Sequence, residues 1–488
     1  MFPIRNESDN DGTSELAMLH SGDDSFAMRM KVLKNAKKSV RIQALIFKGD
    51  ESGQVIAETL LNMKKANPNL DIKIIVDSLS NLWPPKTQEI YFNLRDAKID
   101  IEGYEFAYLY GITDIDIKHP YTTANYRYHE KMWIIDGEDA ANGIAIVGGM
   151  NIANEYFRTG GDDGDDVQAD RMMRWRDHDA ALRGPIVKDV MRLFDRNVAT
   201  FKKVKEEKGA AFNPETYWNY YYKIVEQNGL GSDLACEIKD VVKKVCSFIY
   251  TPKNKIQKSV ANIINKDLSH IKFVPTKARF LVSRTRPEFN ETDKRYIYNA
   301  YIDMVKNAKE SIEIENAYFL LTNQLKDFRV ELKEAVKRGI DVTIVTNSEE
   351  VNDLPQLTLA ARLYYQDLLS ANNEAGENVN GEKAKLRIFE WNKQGEGTVH
   401  AKYAVFDRRA GIIGSYNLDP RSLNLDSESA IVFEEESLGS AISDHFRTAT
   451  CDGCGQEFTL ETIGIVSKPD TINKLGKVGL SWLIKDQM

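Results

Sequence analysis

Cysteine is scarce: the 488-residue chain has four, Cys236, Cys246, Cys451 and Cys454. That is too few to staple a chain of this length with a disulfide framework. Cys451-Asp-Gly-Cys454 is half of a zinc-ribbon pattern, but no second CxxC or His pair accompanies it, so free thiols are the expectation. Long apolar runs are also missing. No stretch of about 18 apolar residues occurs, which argues against a membrane-spanning helix. The N-terminal MFPIRNESDNDGTSEL is polar and acidic and lacks the apolar centre of a signal peptide. A cytoplasmic or peripheral-membrane protein is therefore expected, with export by a leaderless route left open. Positive charge does not dominate either. A net charge of −8 supplies no overall field for nucleic acid, although a local basic cleft is compatible with it.

What is present is ordinary globular material, 42% hydrophobic and 28% charged, enough for two or three domain-sized units or one duplicated one. Duplication is visible directly. LKNAKKSVRIQALIF (33–47) lies over VKNAKESIEIENAYF (305–319), and most positions are identical or similar. Each copy reads as a helix end turning into an alternating strand. Helices over Gln54–Lys65 and Gln324–Arg338 follow, and then the strands DIKIIVDS (71–78) and DVTIVTNS (341–348). Strands alternating with helices predict an α/β fold with helices packed on a sheet. The predicted divisions are 1–186 and 276–488 for the two halves, with a mostly helical insert at 187–275. The aromatic cluster YWNYYYKIV (217–225) in that insert suits core or interface packing, with a lipid surface as the alternative.

Both halves then carry the same polar pattern. In YHEKMWIIDG (128–137), His129 and Lys131 are two apart and share one side of an extended chain. The chain turns after Asp136 and returns to Gly148-Gly149-Met150-Asn151. VHAKYAVFD (399–407) repeats this with His400, Lys402 and Asp407, ahead of Gly414-Ser415-Tyr416-Asn417. The glycines let a ligand approach the backbone. His270-Ile-Lys272 is an internal control: it has the same bare spacing but neither the aspartate nor the Gly-x-Asn continuation. Two full copies in register with a duplication are not accidental.

These motifs resemble the paired HKD motifs of the phospholipase D superfamily, and GSYNLDPRSLNLDSESAIV (414–432) is most similar to its bacterial cardiolipin-synthase-like branch. The resemblance implies two mixed β-sheets flanked by helices, with one active site at their interface. It also implies a phosphodiesterase or transphosphatidylase that takes phospholipid at a membrane surface, with water or an alcohol as acceptor. A nuclease built from the same machinery is the alternative. In this reading one histidine attacks phosphorus and the other moves the proton. Lys131, Lys402, Asn151 and Asn417 hold the non-bridging oxygens. The motif's own symmetry leaves the nucleophile open; the resemblance implies His129. It further implies Glu428 as the partner orienting His400, and an analogous partner for His129 in WRDHDAALRGP, where Asp179 is preferred over Asp177.

Ser415 is expected to bond phosphate, whereas Gly149 at the equivalent position can offer only its backbone. Asp136 and Asp407 face away from the histidines by parity and should pin turns. His178 is expected to pack or hydrogen-bond at the surface. No cofactor is required, because lysines supply the positive charge. The acidic run at 160–166 has the chemistry for Ca²⁺, but a solvated loop is the preferred reading.

Overall fold

The computed structural model describes residues 14–77, 85–104, 127–139, 141–159, 174–208, 258–284 and 295–465. The acidic run at 160–166 and the cluster 217–225 lie outside them. The strands of the first half are β1 (Ser14–Leu19), β2 (Ser39–Ala44), β3 (Asp71–Asp77), β4 (Asp100–Tyr104), β5 (Arg127–Tyr128), β6 (Met132–Ile135), β7 (Ile144–Gly148) and β8 (Asp179–Arg183). Those of the second are β9 (Val274–Ser283), β10 (Ser311–Asn316), β11 (Asp341–Asn347), β12 (Leu386–Trp391), β13 (Lys402–Phe406), β14 (Ala410–Gly414), β15 (Asp426–Glu434) and β16 (Gly455–Phe458).

The order β4-β3-β2-β6-β7-β8-β1 in the first half repeats as β12-β11-β10-β13-β14-β15-β9 in the second. In each, the first three strands are parallel and the rest antiparallel. The two mixed sheets do not stop at the interface. Antiparallel pairing of β1 with β9 joins them edge to edge in one 16-stranded sheet. This union covers what would otherwise be two exposed sheet edges.

Strand periodicity sends alternate residues to opposite faces. On β13, Ala404 and Phe406 enter the core that the helices Tyr296–Asn307, Lys326–Lys337 and Pro355–Leu369 cover, while Tyr403 and Val405 enter another. On β6, Trp133 and Ile135 pack under the helices Gly22–Lys34 and Glu51–Ala66. Met132 and Ile134 join Tyr403 and Val405 beneath the helix Ile186–Lys208, whose Val190, Phe194 and Phe201 bind both halves into one continuous core. The result is a three-layer α/β/α arrangement. Fully burying a side chain such as Ile134 is worth about 1.5–3 kcal/mol, and that continuous core is what fixes the halves relative to each other.

The motif aspartates explain the repeated Lys-Asn-Ala-Lys segment. Asp136 accepts from the backbone N–H groups of Lys37, Lys38 and Ser39. Asp407 accepts from those of Lys309, Glu310 and Ser311. Each pins the turn that enters β2 or β10, a segment remote in sequence from its own hairpin. Both aspartates adopt left-handed backbone, φ 50° and 54°.

Candidate active site

His129 and His400 stand just ahead of β6 and β13, and each is delivered there by a hydrogen bond from the opposite half. The short β5 runs parallel to the start of β15, and the His129 amide donates to the Ser427 carbonyl at 2.8 Å. Correspondingly, Arg176 bridges Val399, and the His400 amide donates to the Arg176 carbonyl at 2.7 Å. The side chains cross in the same way. Nδ1 of His129 lies 3.0 Å from both Glu428 carboxylate oxygens. Nδ1 of His400 lies 2.8 Å from Oδ2 of Asp177.

Two expectations are corrected here. Glu428 orients His129, not His400, because the segment carrying His129 pairs with β15. Asp177 orients His400, and Asp179 touches neither histidine. Opposite Gly148 on β7 stands Asp179, and opposite Gly414 on β14 stands Ala430. Asp177 and Glu428 therefore occupy equivalent positions, each two residues earlier. The Asp179 carboxylate instead accepts from Ser25 Oγ at 2.5 Å and from Arg29 at 2.8 Å, wholly buried.

Lys131 and Lys402, both 1% exposed, donate to the carbonyls of His129 and His400, as their shared side of the chain demands. Burial lowers Lys131 to about 7, with repulsion from Lys402 adding to it, and lowers Lys402 to about 8, while the carboxylates of Glu428 and Asp177 oppose the fall in both. Burial, followed by the neighbouring lysines, also holds both imidazoles well below their ordinary values, so the rings are neutral. His129 contributes to the repulsion at His400, so the two rings share one electrostatic neighbourhood. Burial pushes Glu428 up to about 7, opposed by Lys131 and by hydroxyl donors from Ser415 and Ser422. Asp177 is raised by burial as well, opposed by Lys402. With Nδ1 of each ring turned to a carboxylate, Nε2 is the nitrogen left for chemistry.

Ser415 corrects another expectation: its hydroxyl is engaged by Glu428 and by the Ser429 amide at 3.0 Å, so it supports the histidine's partner. Gly149 has a matching steric role. A Cβ there would meet Asp177 Oδ1 at 2.4 Å. The two amides differ. Asn151 accepts from the Ile46 amide and donates to the Tyr156 hydroxyl, whereas Oδ1 of Asn417 is buried without a partner. The Tyr156 and Trp175 rings lie 5.1 and 5.4 Å from that of His400, and Tyr318 lies 6.5 Å away. Sequence reasoning singled out neither this aromatic wall nor Ser422, and it weighed Asp177 only as the lesser candidate, for His129 rather than His400. His178 is not at the surface: it is 2% exposed. Cys451 and Cys454 are joined as a disulfide rather than free, their Cα atoms 5.2 Å apart, within bonding range.

One donor atom each from His129, Asp426 and Glu428 falls within 4.8 Å of the others. A metal there would have to displace the His129–Glu428 hydrogen bond and sit beside Lys131.

The paired motifs at this seam define a two-domain phosphodiesterase or phosphoryl-group transferase. The chain belongs to the family described as cardiolipin synthase, PLD-like domain, whose model matches residues 30–173 and 301–449, and it is an enzyme of the phospholipase D superfamily. It is 24% identical to an uncharacterised protein of Helicobacter pylori (strain ATCC 700392 / 26695), over 89% of this chain and 79% of the other. It is 23% identical to a cardiolipin synthase of Clostridium perfringens (strain 13 / Type A), over 89% and 70% of the two chains. The phosphatidylserine synthase of Haemophilus influenzae Rd KW20 shares the fold, with a TM-score of 0.60, 15% identity and coverage of 97% and 95%.

Proposed function

We propose that this enzyme cleaves the headgroup phosphodiester of a membrane phospholipid through a phosphohistidine on His129, and passes the phosphatidyl group to water or to an alcohol. One observation carries the reading: two neutral imidazoles, each with its own buried carboxylate on Nδ1, flank two buried lysines. A phosphodiester anion entering there meets the ammonium groups and the Asn417 amide. Nε2 of His129 forms a bond to phosphorus while the bond to the headgroup oxygen breaks. His400, carrying its proton on Nε2, gives that proton to the oxygen while its Nδ1 takes the proton held by Asp177, whose carboxyl burial raises. His400 then takes the proton of the incoming hydroxyl, whose oxygen attacks phosphorus as the Nε2–P bond breaks. Acid–base help of this kind is typically worth about 10²–10⁴ in rate. Both lysines neutralise developing charge, so turnover should persist in EDTA.

Among the described residues no helix is long and apolar enough to cross a membrane, which suits a site that takes lipid from a bilayer surface. The kinship with cardiolipin synthases favours phosphatidyl transfer between lipids as the physiological direction. The test is incubation with mixed phospholipid vesicles, with and without added glycerol or ethanol, followed by mass analysis of the lipids. Headgroup release or exchange that vanishes in His129→Ala is the expected result. Cleavage of DNA or RNA with none of any lipid would overturn the assignment.

A further inference from the structure

A second histidine cluster lies at the seam, on three different elements: His20 follows β1, His178 precedes β8, and His445 ends the helix Glu436–Phe446. Ring centroids are 4.5 Å apart for His20 and His445, 4.8 Å for His178 and His445, and 5.7 Å for His20 and His178. One ring nitrogen from each lies within 4.8 Å of the other two. The reaction scheme uses none of them.

Their hydrogen bonding is incomplete. His178 is 2% exposed; its Nδ1 has no hydrogen-bond partner, and its Nε2 faces only the Glu315 carboxylate. Nδ1 of His20 and Nε2 of His445 are likewise buried and unpartnered. Buried polar atoms are nearly always satisfied, so unpartnered nitrogens on three histidines whose rings cluster this closely point to a missing ligand. Burial, with repulsion from His178 and Arg176, lowers His20 to about 3 and depresses His445 too. Neutral imidazoles offer lone pairs, which suit Zn²⁺ and its first-row neighbours.

A supporting group is present as well. Oε1 of Glu315 lies 3.7 Å from Nε2 of His178. Arg176 holds the Glu315 carboxylate ionised through contacts of 2.7 and 3.1 Å, and in return its own charge is balanced. A carboxylate facing one ring nitrogen fixes the tautomer so that the other, here Nδ1, points to a metal. We propose that His20, His178 and His445 bind a divalent transition metal, Zn²⁺ foremost, that ties the two halves together behind the reaction centre. Zn–N bonds of about 2.0–2.1 Å require the donors to close up. His20 and His445 are only half-buried and can unstack and turn inward to meet it. The fourth position is left to water.

The test uses tag-free full-length protein from zinc-supplemented cells, assayed for bound metal by mass spectrometry and then, as apoprotein, titrated with Co²⁺. About one zinc per chain and visible d–d absorption on Co²⁺ addition are expected. His20→Gln and His445→Gln, checked by circular dichroism, should each weaken Co²⁺ affinity by at least about tenfold. His129→Ala should bind as the parent does, and EDTA should lower the thermal midpoint of the parent but not of His445→Gln. Parent protein without zinc and without a Co²⁺ band would overturn the proposal. So would binding that survives both glutamine variants, or binding that His129→Ala abolishes.

Discussion

Nδ1 of His129 sits 3.0 Å from both oxygens of Glu428, a residue nearly 300 positions away in the opposite half of the duplication. His400 is paired with Asp177 in the reverse direction. Neither half therefore holds a complete histidine–carboxylate pair, and the two copies must dock before either imidazole is oriented. The lysines add to this dependence, because each stands among carboxylates of both halves.

The crossed pairing predicts two different lesions. With a p-nitrophenyl phosphodiester, whose leaving group needs no proton, Asp177→Asn should still form the phosphoenzyme. It should then stall, giving a burst of p-nitrophenol and a trapped phosphohistidine. Glu428→Gln should form the intermediate slowly and show no burst. Steady-state rates should fall by about 10²–10⁴ in both. Rapid-quench kinetics decide the matter: a burst in Glu428→Gln and none in Asp177→Asn would move the nucleophile to His400.

Asp179 has a structural task. Its carboxylate balances Arg29 in a pair that is 3% and 0% exposed. Removing one member of a buried pair strands the other, typically at about 3–5 kcal/mol. Asp179→Asn should thus lower the urea midpoint sharply while the folded fraction keeps kcat within a few-fold of the parent. A collapse of kcat at unchanged stability would show that Asp179 acts in the chemistry instead.

Much of this was legible in the sequence. The repeats at 33–47 and 305–319 foretold β2 and β10, and the His-x-Lys parity foretold how each histidine and lysine share one side. The crossing was not legible, because β5–β15 and Arg176–Val399 are long-range backbone pairings that no local pattern encodes. Asp177, named only as the alternative to Asp179, could have been chosen. Laying DHDAAL over ESAIVF aligns it with Glu428, but a stretched first-half spacing hid that register. The same blindness applies to Tyr156, Trp175 and Tyr318, which are ordinary aromatics until the fold gathers them around His400.

Lysine titration should shape the pH profile. Lys131 at about 7 and Lys402 at about 8 are charged below those values and lose their protons above them. Charge stabilisation of the phosphate is therefore present at low pH and lost as pH rises, so kcat/KM should decline through this window. A bound phosphodiester anion raises both lysines, so kcat should decline at higher pH than kcat/KM. Parallel profiles, or a kcat/KM that stays flat through pH 8, would contradict cationic lysines as the phosphate's partners.

Asp407 carries a backbone role that can be separated from catalysis. Its side chain caps the amides of Lys309, Glu310 and Ser311 from a left-handed residue, φ 54°. Asn retains an acceptor oxygen and tolerates that backbone, whereas Ala offers neither. Thermal midpoints should rank parent, then Asp407→Asn, then Asp407→Ala, with the alanine variant down by about 1–3 kcal/mol. The same ranking is expected at Asp136, and an Asn variant no better than Ala would contradict the capping role.

The two copies differ at one telling place, Gly149 against Ser415, and making them alike should be harmful. Ser415 donates its hydroxyl to Glu428, so Ser415→Ala removes one bond to a charged group and should cost about tenfold in kcat. Asp177 is a shorter side chain than Glu428, and it reaches His400 by lying against the backbone of Gly149. A Cβ at that position would stand 2.4 Å from Oδ1 and 2.9 Å from Oδ2 of Asp177. Gly149→Ser, which copies the second motif into the first, should therefore push the carboxylate off His400. The expected loss in kcat is about 10²-fold or more, with a burst like that of Asp177→Asn. Pre-steady-state kinetics of Gly149→Ser beside Asp177→Asn would check this, and near-parent turnover in Gly149→Ser would mean that Asp177 does not hold His400 as described.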